Sequence, residues 1–239
     1  MMPTPTYTIT CTRKELIAPG IFELVFTKPG GFAFQAGQFV MFEVPLIENP
    51  ADIQKRAYSV ASSPEEPDLL FVIKLIKGGR ASRWVEQVLS EGTGVRMQGP
   101  LGVCTLEPDV SRHYLFVATG SGVAPCRSNI TRMINLKPPV PAVTLLFGVL
   151  RKQDLFWSEY FEHIASKNPA FRFVPTLLFP EPDWKGQTGK IQDIIPSLVS
   201  DPEKTDVFIC GAPELVPEVQ KVCIETMGIP KKNVHAEGF

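Results

Sequence analysis

The residues Gly120-Ser121-Gly122-Val123-Ala124-Pro125 have the types and spacing to hold a charged ligand. They follow an apolar run, Tyr114–Ala118, and precede Arg127–Asn135, where apolar residues recur at helical spacing. Glycines in such a turn let the backbone come close to a ligand, and a helix start favours an anion. Pro125 suits the first helical turn, where a missing N–H costs nothing. The implied chemistry is a pyrophosphate cradle, although an ordinary tight strand-to-helix turn uses the same residue types. A standard dinucleotide fingerprint also carries an acidic residue about 20 positions on. Pro138–Phe147 contains none. The five cysteines, at 11, 104, 126, 210 and 223, form no C-x-x-C, zinc or plant-type iron–sulfur spacing. No metal is expected, and an odd, scattered count does not suit a disulfide framework.

The elements that must position this turn follow from pattern. The chain has 239 residues, 44% apolar and 21% charged, which is globular and long enough for two modest domains. Its first half carries short runs rich in β-branched and aromatic residues: Tyr7–Arg13, Ile21–Thr27, Gln38–Val44, Ala57–Ala61 and Leu69–Ile76. Glycine and proline punctuate them, which predicts an antiparallel barrel or sandwich. One helix interrupts the strands, with Ser82 as its cap and Trp84, Val85, Val88 and Leu89 on one face. The second half alternates apolar strands (Tyr114–Ala118, Val143–Phe147, Phe171–Leu178, Asp206–Cys210) with helices (Arg127–Asn135, Asp154–Ala165, Ile191–Leu198, Glu214–Met227). That order predicts a parallel sheet. The polar stretch Glu107–Arg112 marks the boundary, so the expected domains are 1–110 and 111–239.

The 24 basic and 25 acidic residues leave a net charge of −1, without the basic excess of a nucleic-acid binder. No apolar run approaches the ~20 residues of a membrane span, and the N-terminus has no signal-like apolar core. A cytoplasmic protein is expected.

Several short motifs then fall in a specific order. They are Arg56-Ala57-Tyr58-Ser59, Ile73-Lys74, Gly79-Arg80-Ala81-Ser82, Thr119 with the 120–125 turn, Cys210-Gly211-Ala212-Pro213, and the terminal Glu237-Gly238-Phe239. Together they resemble the ferredoxin–NADP reductase superfamily, including the reductase modules of bacterial oxygenases. The resemblance runs from about Tyr7 to Phe239 and implies a flavin-binding antiparallel β-barrel followed by a nicotinamide-binding α/β domain with a parallel sheet.

The resemblance implies roles for individual residues. Arg56 would neutralise a flavin phosphate with its planar fork of donors. Tyr58 would stack on the isoalloxazine ring, and Ser59 would bond near flavin N5, with Ala57, Ile73 and Lys74 alongside. Gly79, Arg80, Ala81 and Ser82 would hold a second phosphate, which favours FAD. Thr119, Gly120, Ser121, Gly122, Val123 and Pro125, together with Gly211, Ala212 and Pro213, would bind the nicotinamide cofactor. Cys210, Ser59 and Glu237 would serve the reacting rings, and Phe239 would cover the flavin. Relatives often place an arginine where this chain has Leu150, with Arg151 one position late. NADPH-using relatives often carry Ser-Arg where this chain has Leu178-Phe179. A 2′-phosphate needs charge-assisted donors and Glu181 would repel it, so NADH is expected over NADPH, although Arg151, as a cofactor contact, with Lys152 and Lys185 could rescue NADPH binding.

The expected activity is hydride exchange between NAD(P)H and FAD, with electrons passed to a separate ferredoxin, flavodoxin or oxygenase component. The chain has no ligands for an iron–sulfur cluster of its own. Lys74, Lys77, Arg80 and Arg83 are a candidate basic docking patch. Alternatives are an electron-relay subunit of a larger complex, a reductase of free flavins, and a flavin-binding regulatory or assembly protein without turnover.

Overall fold

The computed structural model describes residues 4–103 and 105–238. Cys104 and Phe239, both singled out above, lie outside the described residues. The chain divides into two compact units, the first reaching Leu106 and including Arg127–Asn129. The second holds Glu107–Cys126 and the residues from Ile130 onward.

The first unit is a six-stranded antiparallel sheet. Its strands are β1 (Thr6–Ala18), β2 (Ile21–Thr27), β3 (Phe39–Pro45), β4 (Ile53–Ser59), β5 (Asp68–Lys74) and β6 (Gly94–Leu101), in the order β4-β3-β6-β1-β2-β5. β1 turns the corner of this sheet. Its residues Thr6–Thr10 pair with β6 and its residues from Cys11 onward pair with β2. A register shift between Cys11 and Arg13 marks the bend. The edge strands β4 and β5 approach each other, which closes the sheet toward a barrel. Alternation aims Leu24, Phe26, Val40, Phe42 and Phe71 into one core, where Phe42 meets Phe26 and Phe71 edge-on.

Helix α1 spans Arg80–Gln87 and buries Trp84 and Val85 in the same core. Gly79 occupies its capping position and no side chain caps it. The expectation that Ser82 caps this helix is corrected: Ser82 lies inside α1, and its Oγ accepts from the Ile76 N–H at 2.7 Å. β6 has no counterpart among the expected strands. Its Gly99 and Pro100 resemble turn punctuation, but in this strand they accompany close backbone packing. A Cβ at Gly99 would come within 2.8 Å of the Val40 side chain.

The second unit is a six-stranded sheet of parallel pairs. Its strands are β7 (His113–Thr119), β8 (Ala142–Val149), β9 (Phe171–Leu177), β10 (Gln187–Thr188), β11 (Thr205–Gly211) and β12 (Val234–Gly238), in the order β10-β9-β8-β7-β11-β12. β7 and β11 are nearly continuous apolar runs because both faces are covered. The helices are α2 (Val123–Ile134), α3 (Ser158–Lys167), α4 (Ile191–Ile194) and α5 (Leu215–Lys221). α3 begins four residues later than the apolar spacing suggests. Trp157 takes a left-handed φ of 58°, which prevents the helix from extending back to Asp154. α4 tightens into a 3₁₀ turn at Ile195–Leu198, and α5 loosens into a π turn at Val222–Thr226.

Candidate functional site

In the first unit, the segment Ile76–Ser82 folds around its own backbone. Gly78 has a φ of +74°, a region that L side chains rarely occupy. A Cβ at Gly79 would meet the Ile76 carbonyl at 3.0 Å and Ser82 Oγ at 3.1 Å. Beyond this turn, the buried Arg80 Nε has no hydrogen-bond partner among the described residues. A small residue at a tight approach and an unsatisfied guanidinium nitrogen fit a phosphate group.

Arg56 and Tyr58 sit two apart on β4 and so share one face. Arg56 donates to the Lys55 carbonyl at 2.9 Å. The Tyr58 ring lies 5.1 Å from Phe42 and packs on the core cluster while staying half-exposed. Burial pushes its hydroxyl up to about 12, so it remains neutral. Tyr58 is therefore core filling on one side and an available aromatic surface on the other. Ser59 ends the strand beside Phe39. Ile73 is a core side chain, so only its main chain on the edge strand β5 is available to a ligand. Lys74 is exposed, and Ala81 packs on the core.

The expected basic patch is changed by its neighbours. Arg80 bonds Asp52 Oδ1 at 3.2 Å, and Arg83 bonds Glu48. Both acids come from the loop between β3 and β4, and no sequence spacing links them to α1.

In the second unit, the C-terminal ends of β7 and β11 meet. Thr119 leads into a 3₁₀ turn, Gly120–Gly122, and then α2, with Val123 buried at its start. Gly120 has a φ of +51° with open space around it, while Ser121 is partly exposed. Gly122 is enclosed: a Cβ there would fall 2.2 Å from the Cys210 carbonyl oxygen. Gly211 is as tight against Thr119, whose Oγ1 accepts from the Ala212 N–H at 3.3 Å. Pro125 lies in the first turn of α2, and Ala212 and Pro213 are exposed at the rim. In open α/β sheets such a rim at the strand C-termini is where ligands bind.

Cys210 is buried at the end of β11 and faces Glu237 in register on β12. A hydrogen bond with the Cys126 thiol, followed by burial, pushes the Cys210 thiol well above its ordinary range. It therefore stands as a neutral thiol. The cysteine spacing gives Cys126 no role; the signal that could have distinguished it is its place one helical turn after Gly122, whose carbonyl accepts from its Sγ at 3.5 Å. Two positions before Glu237, His235 stacks on Phe208 at 4.6 Å. Arg151 lies beyond β8, with its guanidinium over the Phe179 ring.

Burial also raises the Glu237 carboxyl. The folded chain therefore favours the neutral acid. Its stabilising contribution is full below the unfolded-state value and is lost as the pH rises through the raised folded value. Glu237→Gln has no such titration. Its unfolding midpoint should exceed that of the unaltered chain above this window and vary less with pH across it. Thermal melts over a pH series check this.

The comparisons with known proteins bear on both units. Residues 9–105 match the family described as "Oxidoreductase FAD-binding domain", and residues 116–221 match "Oxidoreductase NAD-binding domain". The chain is 32% identical over 232 residues to ferredoxin–NADP reductase B of Sorangium cellulosum, covering 93% of each chain. This chain belongs to the ferredoxin–NADP reductase superfamily. It is an FAD-dependent NAD(P)H oxidoreductase. It is also 29% identical to the reductase component of the naphthalene 1,2-dioxygenase system of Pseudomonas putida, over 87% of this chain and 61% of that relative. Its fold is that of a ferredoxin–NADP⁺ reductase from Neisseria gonorrhoeae, with a TM-score of 0.82 at 23% identity, covering 98% of each chain. Among the described residues, no helix of this reductase is long and apolar enough to cross a membrane.

Proposed function

We propose that this reductase takes a hydride from NADH, in preference to NADPH, and delivers electrons singly to a separate carrier such as a ferredoxin, a flavodoxin or an oxygenase component, in the cytoplasm. On this reading residues 1–110 bind FAD and residues 111–239 bind the nicotinamide nucleotide. FAD, when bound, would supply the hydride-accepting and one-electron-donating chemistry. Arg56 and the Gly79–Ser82 turn hold its phosphates, Tyr58 offers a ring face, and Ser59 offers a hydroxyl. Cys210, as a neutral thiol, and Glu237 line the nicotinamide side. The protein contributes position and exclusion of water.

The observation that carries this reading is the turn after β7, where bare Gly122 packs against the Cys210 backbone while Gly120 has open space around it, a geometry that supports a pyrophosphate site. The NADH preference rests on Leu178 and Phe179, which offer no charged donor at the end of β9. The Sorangium relative is named for NADP, so the preference is read from this chain's own residues. The reading is tested by supplying NADH and comparing a plant-type ferredoxin with free FMN as acceptor. Faster turnover with ferredoxin, together with a chain that purifies yellow, supports it. Turnover only with added free flavin favours a free-flavin reductase instead.

Asp52 competes with a phosphate for Arg80. Asp52→Asn should slow FAD release roughly two- to fivefold, the scale of an exposed ion pair. Release into excess apoflavodoxin measures it. Because Arg80 and Arg83 are already paired with acids, electron transfer to ferredoxin should depend only weakly on ionic strength.

A further inference from the structure

Beyond β8 and β9 the rim carries a set of charges that satisfy one another. Lys152 Nζ bonds Asp183 Oδ2 at 2.6 Å. The Lys152 main-chain N–H faces both Glu181 oxygens, at 3.4 and 3.3 Å. The Arg151 N–H is taken by Asp154 at 3.0 Å. The two loops are tied together, since Phe179 donates to the Leu150 carbonyl at 2.8 Å and Leu178 to Val149 at 3.0 Å. Three carboxylates thus occupy donors that this rim would otherwise present to an anion. The Asp183 bond raises the Lys152 ammonium and lowers the Asp183 carboxyl, so both stay charged.

Strand order says which part of a nucleotide meets these loops. β8 and β9 lie on the side of β7 away from β11. A nucleotide with its pyrophosphate on the turn after β7 and its nicotinamide toward Cys210 extends its adenosine over β8 and β9. This placement rests on the nicotinamide reading given above.

We propose that Glu181 and Asp183 are specificity-determining residues: an acidic clamp that withholds Lys152 from a 2′-phosphate and selects the nucleotide with a free 2′-hydroxyl. Lys152 is a cation whose position would otherwise help to offset the missing donors at Leu178 and Phe179, beside Arg151, whose guanidinium lies over the Phe179 ring. A 2′-phosphate is close to a dianion at neutral pH, and it would meet Glu181 and Asp183 before reaching a free ammonium. The clamp is thus both a repulsive element and a removal of the attractive one, as specificity against a close analogue requires.

The test is calorimetric titration of the full chain with 5′-AMP and with 2′-phospho-5′-AMP, which needs no turnover. The affinity ratio, phosphorylated over unphosphorylated, is expected to rise at least tenfold in E181Q/D183N. Adding K152M to that pair should return the ratio to within threefold of the unaltered chain, because the gain is carried by the released ammonium. Asp183→Asn alone should move the ratio in the same direction by less. All three positions lie outside the strands, with Lys152 and Asp183 exposed and Glu181 partly so, and circular dichroism verifies that the variants keep the sheet intact. An unchanged ratio in a folded E181Q/D183N overturns the clamp and leaves the nicotinamide reading standing. Binding of neither ligand by the unaltered chain overturns the nicotinamide reading and the clamp with it.

Discussion

Gly122→Ala should abolish useful reduction of the bound flavin. A Cβ at this position would lie 2.2 Å from the Cys210 carbonyl oxygen and 2.8 Å from Gly211 Cα. Neither neighbour is the end of a flexible side chain, so β11 or the turn must move. Inserting one carbon into such packing costs about 1–3 kcal/mol, sometimes more. The functional loss should exceed the loss of stability. The shift displaces the backbone amides of the turn relative to Cys210 on β11, and a displacement near 1 Å can cost about 100-fold in rate. Flavin reduction by NADH should therefore fall by about two orders of magnitude while the chain still melts cooperatively. Gly120→Ala is the contrasting control. Gly120 has open space for a Cβ, so only its φ of +51° is strained. That costs about 1–2 kcal/mol and should leave most of the rate.

Arg56→Ala should convert a flavoprotein into a chain that purifies colourless. Arg56 stands on β4 one face-step from Tyr58, and one of its nitrogens donates to the neighbouring Lys55 carbonyl. That bond orients the guanidinium plane without neutralising its charge. A charge-assisted bond to phosphate contributes about 1.5–3 kcal/mol. Its loss should raise the FAD dissociation constant about 10- to 100-fold. Arg56→Lys keeps the charge but not the fork, so it should recover only part of that loss. Fluorescence of released FAD on dilution measures both variants. Unchanged FAD retention in Arg56→Ala would place the phosphate elsewhere.

The parallel sheet was readable because its strands are buried on both faces. Tyr114–Ala118 is a continuous apolar run and Asp206–Cys210 is one after its first residue, and each proved one residue short at either end of its strand. β6 and β12 were not readable. β6 holds Gly94, Gly99 and Pro100, residues that usually mark turns, and at Gly99 the bare backbone is what lets Val40 pack against the strand. β12 is Val-His-Ala-Glu-Gly, whose strand character comes from pairing with β11 and from the Phe208–His235 stack. The motif residues were legible by type and order. Their surroundings were not. Nothing in the spacing places Asp52 on Arg80, Glu48 on Arg83 or Asp183 on Lys152, because each pair is made by loops that meet only after the sheets form. Cys126 belongs to the same class, since its closeness to Cys210 depends on the turn before α2 packing against the end of β11.

The most direct measurement is an anaerobic stopped-flow mixing of the FAD-loaded chain with NADH, followed at the visible flavin band, with NADPH in parallel. The band should bleach in a single turnover with either nucleotide at saturation, and NADH should reach half its limiting rate at a lower concentration. A visible band that stays constant with both nucleotides would contradict hydride transfer to the flavin, and with it the assignment of the two sites.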